Sequence, residues 1–290
     1  MRASTQSNYQ QRLNRVIDYM YQHVADNLDI NTLADIACLS PYHFHRIYRE
    51  MVGEPINVSV RRMRLSKSAA LLIRTNKSLA EIAKESSYSG IDAFSRAFSK
   101  EFNVSPSLYR KESQATLASH YRPSIHHKEY PIMYTIDMMP ITELTLLGLD
   151  HQGDYMNIGQ TFEKLFIAAA SLGLVNQETR SFGLYFDDPK TVAQADLRST
   201  ACISVPAATE QNASDPNLKV IALPAGKAAT LLFKGPYAEL EQPYDWLFGH
   251  WLPQSELEPL DFPPFEEYLN DPKNTPPTEL LTRIHCLVKS

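Results

Sequence analysis

Ser40-Pro41-Tyr42-His43-Phe44-His45-Arg46-Ile47-Tyr48-Arg49 sets two histidines, two arginines and three aromatic rings in ten residues, and its spacing decides the fold of the first part of the chain. Phe44, Ile47, Tyr48 and Met51 fall at i, i+3, i+4 and i+7, one apolar stripe of a helix. Tyr42, His45, Arg46 and Arg49 share that spacing on another face. Ser40 suits an N-cap and Pro41 a first helical turn. The two histidines are two positions apart, about 200° around a helix, so they do not share one metal ion. The stretch reads as a short amphipathic helix with a cationic, hydrogen-bonding face.

The pattern returns. Phe94-Ser95-Arg96-Ala97-Phe98 matches Phe44-His45-Arg46-Ile47-Tyr48, and Leu79-Ala80-Glu81-Ile82-Ala83 matches Leu33-Ala34-Asp35-Ile36-Ala37. Pro55 and Pro106 close the two copies. Each copy reads as a short helix, a turn and a second helix. Phe94, Ala97 and Phe98 form the apolar face of the second copy; Asp92, Ser95, Arg96 and Ser99 form the other, with Ile91 exposed beside them. Arg46 and Arg96 are equivalent positions. An arginine there can make a bidentate bond to guanine in the major groove, while its neighbours contact bases or hold phosphates. Asp92 accepts from cytosine N4 or caps its helix, capping being the simpler role.

Between the copies, Ile56 to Thr75 is rich in good helix formers. Its roughly 20 residues span about 30 Å, close to the ~34 Å between successive major grooves. Two recognition helices joined by such a rod fit double-stranded DNA over two successive major grooves without a dimer. Tyr9 to Val24 adds a helix before the first copy, and the first half reads as all-α.

Charge divides the 290 residues. Residues 1–113 hold 16 Lys+Arg and 11 Asp+Glu, residues 114–290 hold 12 and 22, and the whole chain carries −5. A basic half followed by an acidic half points to a polyanionic partner for the first only. The apolar fraction of 43% supports real cores. No apolar run is long enough for a membrane span, and no secretory leader is legible. Cys38, Cys202 and Cys286 are far apart and form no CxxC, which fits a reduced, cytoplasmic protein with small buried thiols. No cofactor or metal is expected.

Residues 113–124 lose the helical period and read as a linker. Beyond them come strand candidates at Leu144–Leu149, Ala201–Val205, Val220–Leu223, Ala228–Phe233 and Leu281–Val288, with helical runs near Ile158–Leu172 and Tyr237–Trp251. A second repeat lies here. Gly153-Asp154-Tyr155 returns as Gly235-Pro236-Tyr237, Phe162-Glu163-Lys164-Leu165-Phe166 as Tyr244-Asp245-Trp246-Leu247-Phe248, and Tyr185-Phe186-Asp187-Asp188-Pro189 as Tyr268-Leu269-Asn270-Asp271-Pro272, at offsets of 82 to 83 residues. The second half therefore reads as two strand–helix–strand units related by a pseudo-two-fold axis. Asp188-Pro189 and Asp271-Pro272 read as turns.

Residues 8–112 resemble the AraC/XylS-type double helix-turn-helix domain. The carriers are Leu33-Ala34-x-Ile36-Ala37, Ser40-x-x-x-Phe44-x-Arg46-x-Tyr48, Ile82-Ala83, Phe94-x-Arg96-x-Phe98 and Pro106-x-x-Tyr109-Arg110. The resemblance implies bacterial transcription regulation, usually activation, with RNA polymerase as a partner. Ile91, Asp92 and Ala93 make the second helix less cationic than the first, which assigns most base reading to the first.

Residues 125–290 resemble the GyrI-like effector-binding domain, a duplicated α+β unit of SHS2 type. The carriers are Gly235-Pro236-Tyr237, the helix with Tyr244, Trp246 and Leu247, and Pro264-Phe265-Glu266-Glu267-Tyr268-Leu269-Asn270-Asp271-Pro272 with Thr275-Pro276-Pro277. The expected fold is multidomain, all-α followed by α+β. The resemblance implies a cleft between the units for a small hydrophobic, often cationic effector. Tyr155, Tyr185, Tyr237, Trp246 and Tyr268 are its candidate aromatic walls. Glu266 is the candidate countercharge, sharing a strand face with Tyr268, and its partner in the first unit is Gly183. As alternatives, the aromatics are ordinary core and Glu266 a solvated acid. Apart from those readings, two other functions stay open for the second half: a hydrolase whose pocket Glu266 activates water with Tyr237 or Tyr268, or a protein-binding module with no ligand.

Overall fold

A computed structural model describes residues 2–112, 123–126, 130, 132–209 and 215–289, with side chains from residue 8 onward. The proposed linker at 113–124 lies almost wholly outside the described residues.

Seven helices open the chain: α1 (Arg2–Gln22), α2 (Ile30–Ile36), α3 (Pro41–Val52), α4 (Ile56–Arg74), α5 (Leu79–Glu85), α6 (Ile91–Phe102) and α7 (Pro106–Glu112). α2 with α3, and α5 with α6, are the two helix-turn-helix copies. Asp29 caps α2 by accepting from the Thr32 amide, and Ser78 and Glu81 form a reciprocal capping box on α5. Both α3 and α6 end on a left-handed residue, Gly53 (φ 84°) and Asn103 (φ 57°), types that tolerate this conformation. Ser40 is the N-cap of α3 but makes no side-chain capping bond. The N-cap of α6 is Gly90, so Asp92 is not the cap. It sits in the first turn, where a negative charge complements the helix dipole.

Eight antiparallel strands follow: β1 (Asp137–Ile141), β2 (Leu144–Gln152), β3 (Ser181–Tyr185), β4 (Arg198–Val205), β5 (Leu218–Leu223), β6 (Gly226–Lys234), β7 (Phe265–Tyr268) and β8 (Leu281–Val288). They form one sheet in the order β1-β6-β8-β7-β3-β4-β2-β5. That order is symmetric about the β7–β3 pair, and each unit lends its first strand to the far edge of the other. The pseudo-two-fold axis therefore passes between β3 and β7, where Gly183 pairs with Glu266.

β1 and β3 are absent from the strand candidates above, and β7 appears there only through the shared face of Glu266 and Tyr268, for local reasons. Pro140 interrupts β1, Gly183 interrupts β3, and adjacent glutamates hide the period of β7. α8 (Ile158–Ser171) packs on β2 and β4. Its counterpart is α9 (Glu241–Trp246), a π-helical turn at Leu247–Trp251 and α10 (Leu252–Gln254). One apolar core runs from Leu13, Ile17, Phe44 and Ile47 to Leu231, Trp246, Leu247, Phe248 and Ile284, so the helical half and the second sheet unit share it.

Candidate effector and DNA-reading sites

Glu266 is only 4% exposed and lies on the sheet face covered by α8 and α9. The Tyr268 hydroxyl donates to its Oε2 at 3.0 Å, and Tyr185 and Tyr268 hydroxyls meet at 2.5 Å. Rings complete the cluster edge-on. Tyr155 stands 4.8 Å from Tyr185, and Tyr237 and Phe162 stand 5.4 and 5.6 Å from Tyr268. The Tyr244 hydroxyl is near the same carboxylate but makes no hydrogen bond of ordinary geometry.

Gly183 makes room for this chain of hydroxyls. A Cβ there would fall 2.8 Å from both the Tyr185 ring and the Tyr268 hydroxyl. Burial pushes the Glu266 carboxyl up to about 7, against the hydrogen bond from Tyr268 and the nearby charge of Arg46. Burial and the charge of Glu266 raise Tyr237 to about 12 and push Tyr185, Tyr244 and Tyr268 well upward.

The tertiary structure thus gathers Glu266, Tyr268, Tyr185, Tyr155 and Tyr237. Trp246 stands apart. Its indole N–H donates to the Met133 sulfur at 3.4 Å and its ring packs on Tyr134 and His250. α9 turns it into the core shared with the helical half. Glu267 faces the other side of β7, paired with Arg180, Arg283 and His285. Burial raises its carboxyl, but bonds to His285 and Arg180 outweigh this and bring it to about 2.

The two candidate DNA-reading faces differ. On α6, Ile91 is 43% exposed, Asp92 and Arg96 are exposed, and Ser95 and Ser99 are half-buried. That face is open. The solvated cationic face expected on α3 is instead covered by the sheet domain. Arg46 is 5% exposed and donates from Nη2 to the Asp187 carbonyl at 2.9 Å. Its guanidinium lies over Tyr244 (4.9 Å) and Phe248 (5.6 Å). Arg49 pairs with Glu50, Asp188 and Asp245 at 2.8 to 2.9 Å. The Tyr42 ring meets Phe186 at 5.9 Å, and His45 Nδ1 lies 2.5 Å from the Pro41 carbonyl. Burial and Arg46 hold the His45 imidazole down at about 4.

His43, on the opposite edge, is fully buried, with Nε2 3.2 Å from the Leu260 carbonyl, and burial holds it down at about 3. Tyr244, Phe248, Asp187, Asp188 and Asp245 were not singled out from the sequence as partners of α3. Asp188 does form the predicted turn, bonding the Lys190 amide at 3.0 Å, and pairs with Arg49 besides. Two signals were available: the acidity of the second half, and Tyr244 standing where the first unit has Phe162. A cleft of about 640 Å³ opens between the two halves beside Tyr42, His45, Phe186, Asp187 and Arg198.

A sheet duplicated about a buried glutamate, joined to paired helix-turn-helix units, defines a class: a DNA reader fused to a small-molecule-binding domain. The model of the GyrI-like small molecule binding domain matches residues 134–289, and the chain belongs to that family. A helix-turn-helix domain model matches residues 33–112, which are of AraC type. Transcriptional regulator Rob of Salmonella typhimurium is 30% identical over 127 residues, 42% of this chain and 44% of that protein. An HTH-type transcriptional regulator of Bacillus subtilis, YbfP, is 28% identical over 102 residues, 35% of each chain. These alignments span less than half the length of either relative. The C-terminal domain of EcmrR superposes over 55% of this chain and 99% of its own, with a TM-score of 0.47 at 21% identity. Among the described residues no helix is long and apolar enough to cross a membrane.

Proposed function

We propose that this chain is a DNA-binding transcription regulator whose output is set by a small hydrophobic cation bound between the two sheet units. The observation that carries this reading is Glu266: a buried carboxyl on the pseudo-two-fold axis, ringed by tyrosines. A buried acid is stable only when neutral or paired. Tyrosine faces add cation–π attraction of about 0.5–2 kcal/mol each. A lipophilic cation meets both requirements; a neutral molecule forgoes the ionic part. DNA binding rests on the α2–α3 and α5–α6 pairs, with Arg46 and Arg96 reading successive major grooves, α4 setting their separation, and Arg49, Ser95 and Ser99 holding phosphates or bases. The expected output is activation with RNA polymerase, following the AraC/XylS resemblance.

The test is a tryptophan-fluorescence titration of the full chain with tetraphenylphosphonium and with neutral triphenylphosphine oxide. Saturable binding of the cation, weakened at least tenfold in Glu266→Gln, supports the reading. Equal binding to both proteins removes Glu266 as countercharge.

A further inference from the structure

The chain itself places a cation beside the Glu266 cluster. Arg46 presents a planar delocalised cation to two aromatic faces and to the Asp187 carbonyl, which also accepts from the Tyr155 hydroxyl at 3.1 Å. Tyr244 and Phe248 stack at 6.1 Å and 21° to form that double face. Arg46 Nε finds no hydrogen-bond partner among the described residues, so the guanidinium is held by its surroundings more than by directed bonds. Its charge reaches the acid, lowering Glu266 against burial. Yet Arg46 is the counterpart of Arg96, whose face is open. One guanidinium cannot fill this niche and read a base at the same time.

We propose that Arg46 is a tethered stand-in for the cationic effector: it occupies the effector site in the unliganded chain, and effector binding displaces it and frees α3 for DNA. This inference rests on the reading of the Glu266 cluster given above. Competition follows from mass action. The bound conformation of α3 and the liganded cluster exclude each other, so each weakens the other's apparent affinity by the same factor. The surrounding contacts make the switch two-state. Arg49 is gripped by Asp188 and Asp245, Lys190 shares Asp245 at 2.8 Å, and Glu50 accepts from Tyr130 at 3.0 Å. Displacing Arg46 loosens the same face of α3 that these groups hold.

The α3 contact leaves a test that touches neither Arg46 nor the tyrosines around Glu266. Gly249, in the π-helical turn, faces Glu50 and Tyr130 so closely that a Cβ on it would lie 2.6 Å from the Glu50 Cβ and would overlap the Tyr130 hydroxyl that bonds Glu50. Gly249→Ala is therefore a wedge under α3. Three full-length proteins are compared: the unsubstituted chain, Arg46→Ala and Gly249→Ala, each checked for cooperative thermal unfolding. Calorimetry with tetraphenylphosphonium should show at least tenfold tighter binding to Arg46→Ala and to Gly249→Ala, with triphenylphosphine oxide unchanged. On an operator duplex selected from random DNA, Gly249→Ala without ligand should bind about tenfold more tightly than the unsubstituted chain. The unsubstituted chain should match it when saturated with the cation.

Equal or weaker cation binding by Arg46→Ala, with the unsubstituted chain still binding, overturns the tether and leaves the effector reading standing. Cation binding by none of the three overturns both. A Gly249→Ala protein whose DNA affinity is unchanged shows that covering α3 does not limit DNA binding, and overturns the switch.

Discussion

At Glu266 burial favours the neutral acid, and this gives the residue a measurable pH signature. Its native value of about 7 lies above the ordinary 4.5, so between those pH values the folded state holds more protons than the unfolded one. Its contribution to stability is present below pH 4.5 and is lost as pH rises to 7, on the order of 3 kcal/mol in all. His43 and His45, held down by burial at about 3 and 4, act in the opposite sense: their contribution is lost as pH falls below the ordinary 6.5. Subtracting the denaturation curves of Glu266→Gln from those of the unsubstituted chain isolates the first effect, because the histidines are common to both. The difference should fall with rising pH between 4.5 and 7; a flat difference would mean Glu266 is not neutral when buried. Ligand binding carries the same linkage. Affinity for tetraphenylphosphonium should drop about tenfold per pH unit below 7, because the carboxyl must lose its proton to pair with the cation.

Single elements carry two further tests. β3 and β7 meet at Gly183 and Glu266, and the space above Gly183 belongs to the Tyr185 and Tyr268 hydroxyls. Gly183→Ala should destabilise the chain by about 1–3 kcal/mol through overpacking, and should lower cation affinity with it. Chemical denaturation and calorimetry measure the two effects, and unchanged values would show that the hydroxyl chain yields easily. On α6 the reverse holds. Arg96 is exposed, so Arg96→Ala should leave the unfolding midpoint unchanged while weakening specific DNA binding by about 1–3 kcal/mol. Anisotropy titration on the selected operator decides it. A loss spread evenly over all sequences would assign Arg96 to phosphate rather than base.

For the whole molecule, α1, α3 and the second sheet unit share one core, and the proposed displacement of Arg46 would couple DNA reading to ligand binding through it. On that proposal, with the Arg46 face of α3 covered, the chain without effector offers DNA only the α5–α6 face. The salt dependence of DNA affinity should then be shallow. It should steepen by about 0.9 in logarithmic slope for each phosphate that α3 gains on release. Titrations between low and physiological salt, with and without tetraphenylphosphonium, measure this directly. Equal slopes would indicate that both reading helices engage DNA whether or not the cation is bound.

Much of this was legible in the residues alone. Helical spacing at Phe44, Ile47, Tyr48 and Met51 needs no tertiary information, because a 3.6-residue period is a local property. The two repeats announced the paired helix-turn-helix units and the duplicated sheet, since equal segments adopt equal folds. They also made Gly183 the equivalent of Glu266 in the other unit; that the two residues pair across β3 and β7 came only from the fold. A short strand such as β3 escaped the sequence pattern because Gly183 interrupts its apolar run, whereas the strand faces of Glu266 and Tyr268 were readable. What only the tertiary structure decided is which face each charge meets. Arg46 and Arg96 are the same residue at equivalent positions of equivalent helices, and no local signal separates them. One is exposed and the other lies between Tyr244, Phe248 and Asp187, because a domain about 140 residues further on in sequence closes over it. Such a contact depends on long-range packing of two complementary surfaces, basic and acidic. The acidity of the second half hints that it meets a basic surface, but which arginine it covers is decided only when the chain is folded.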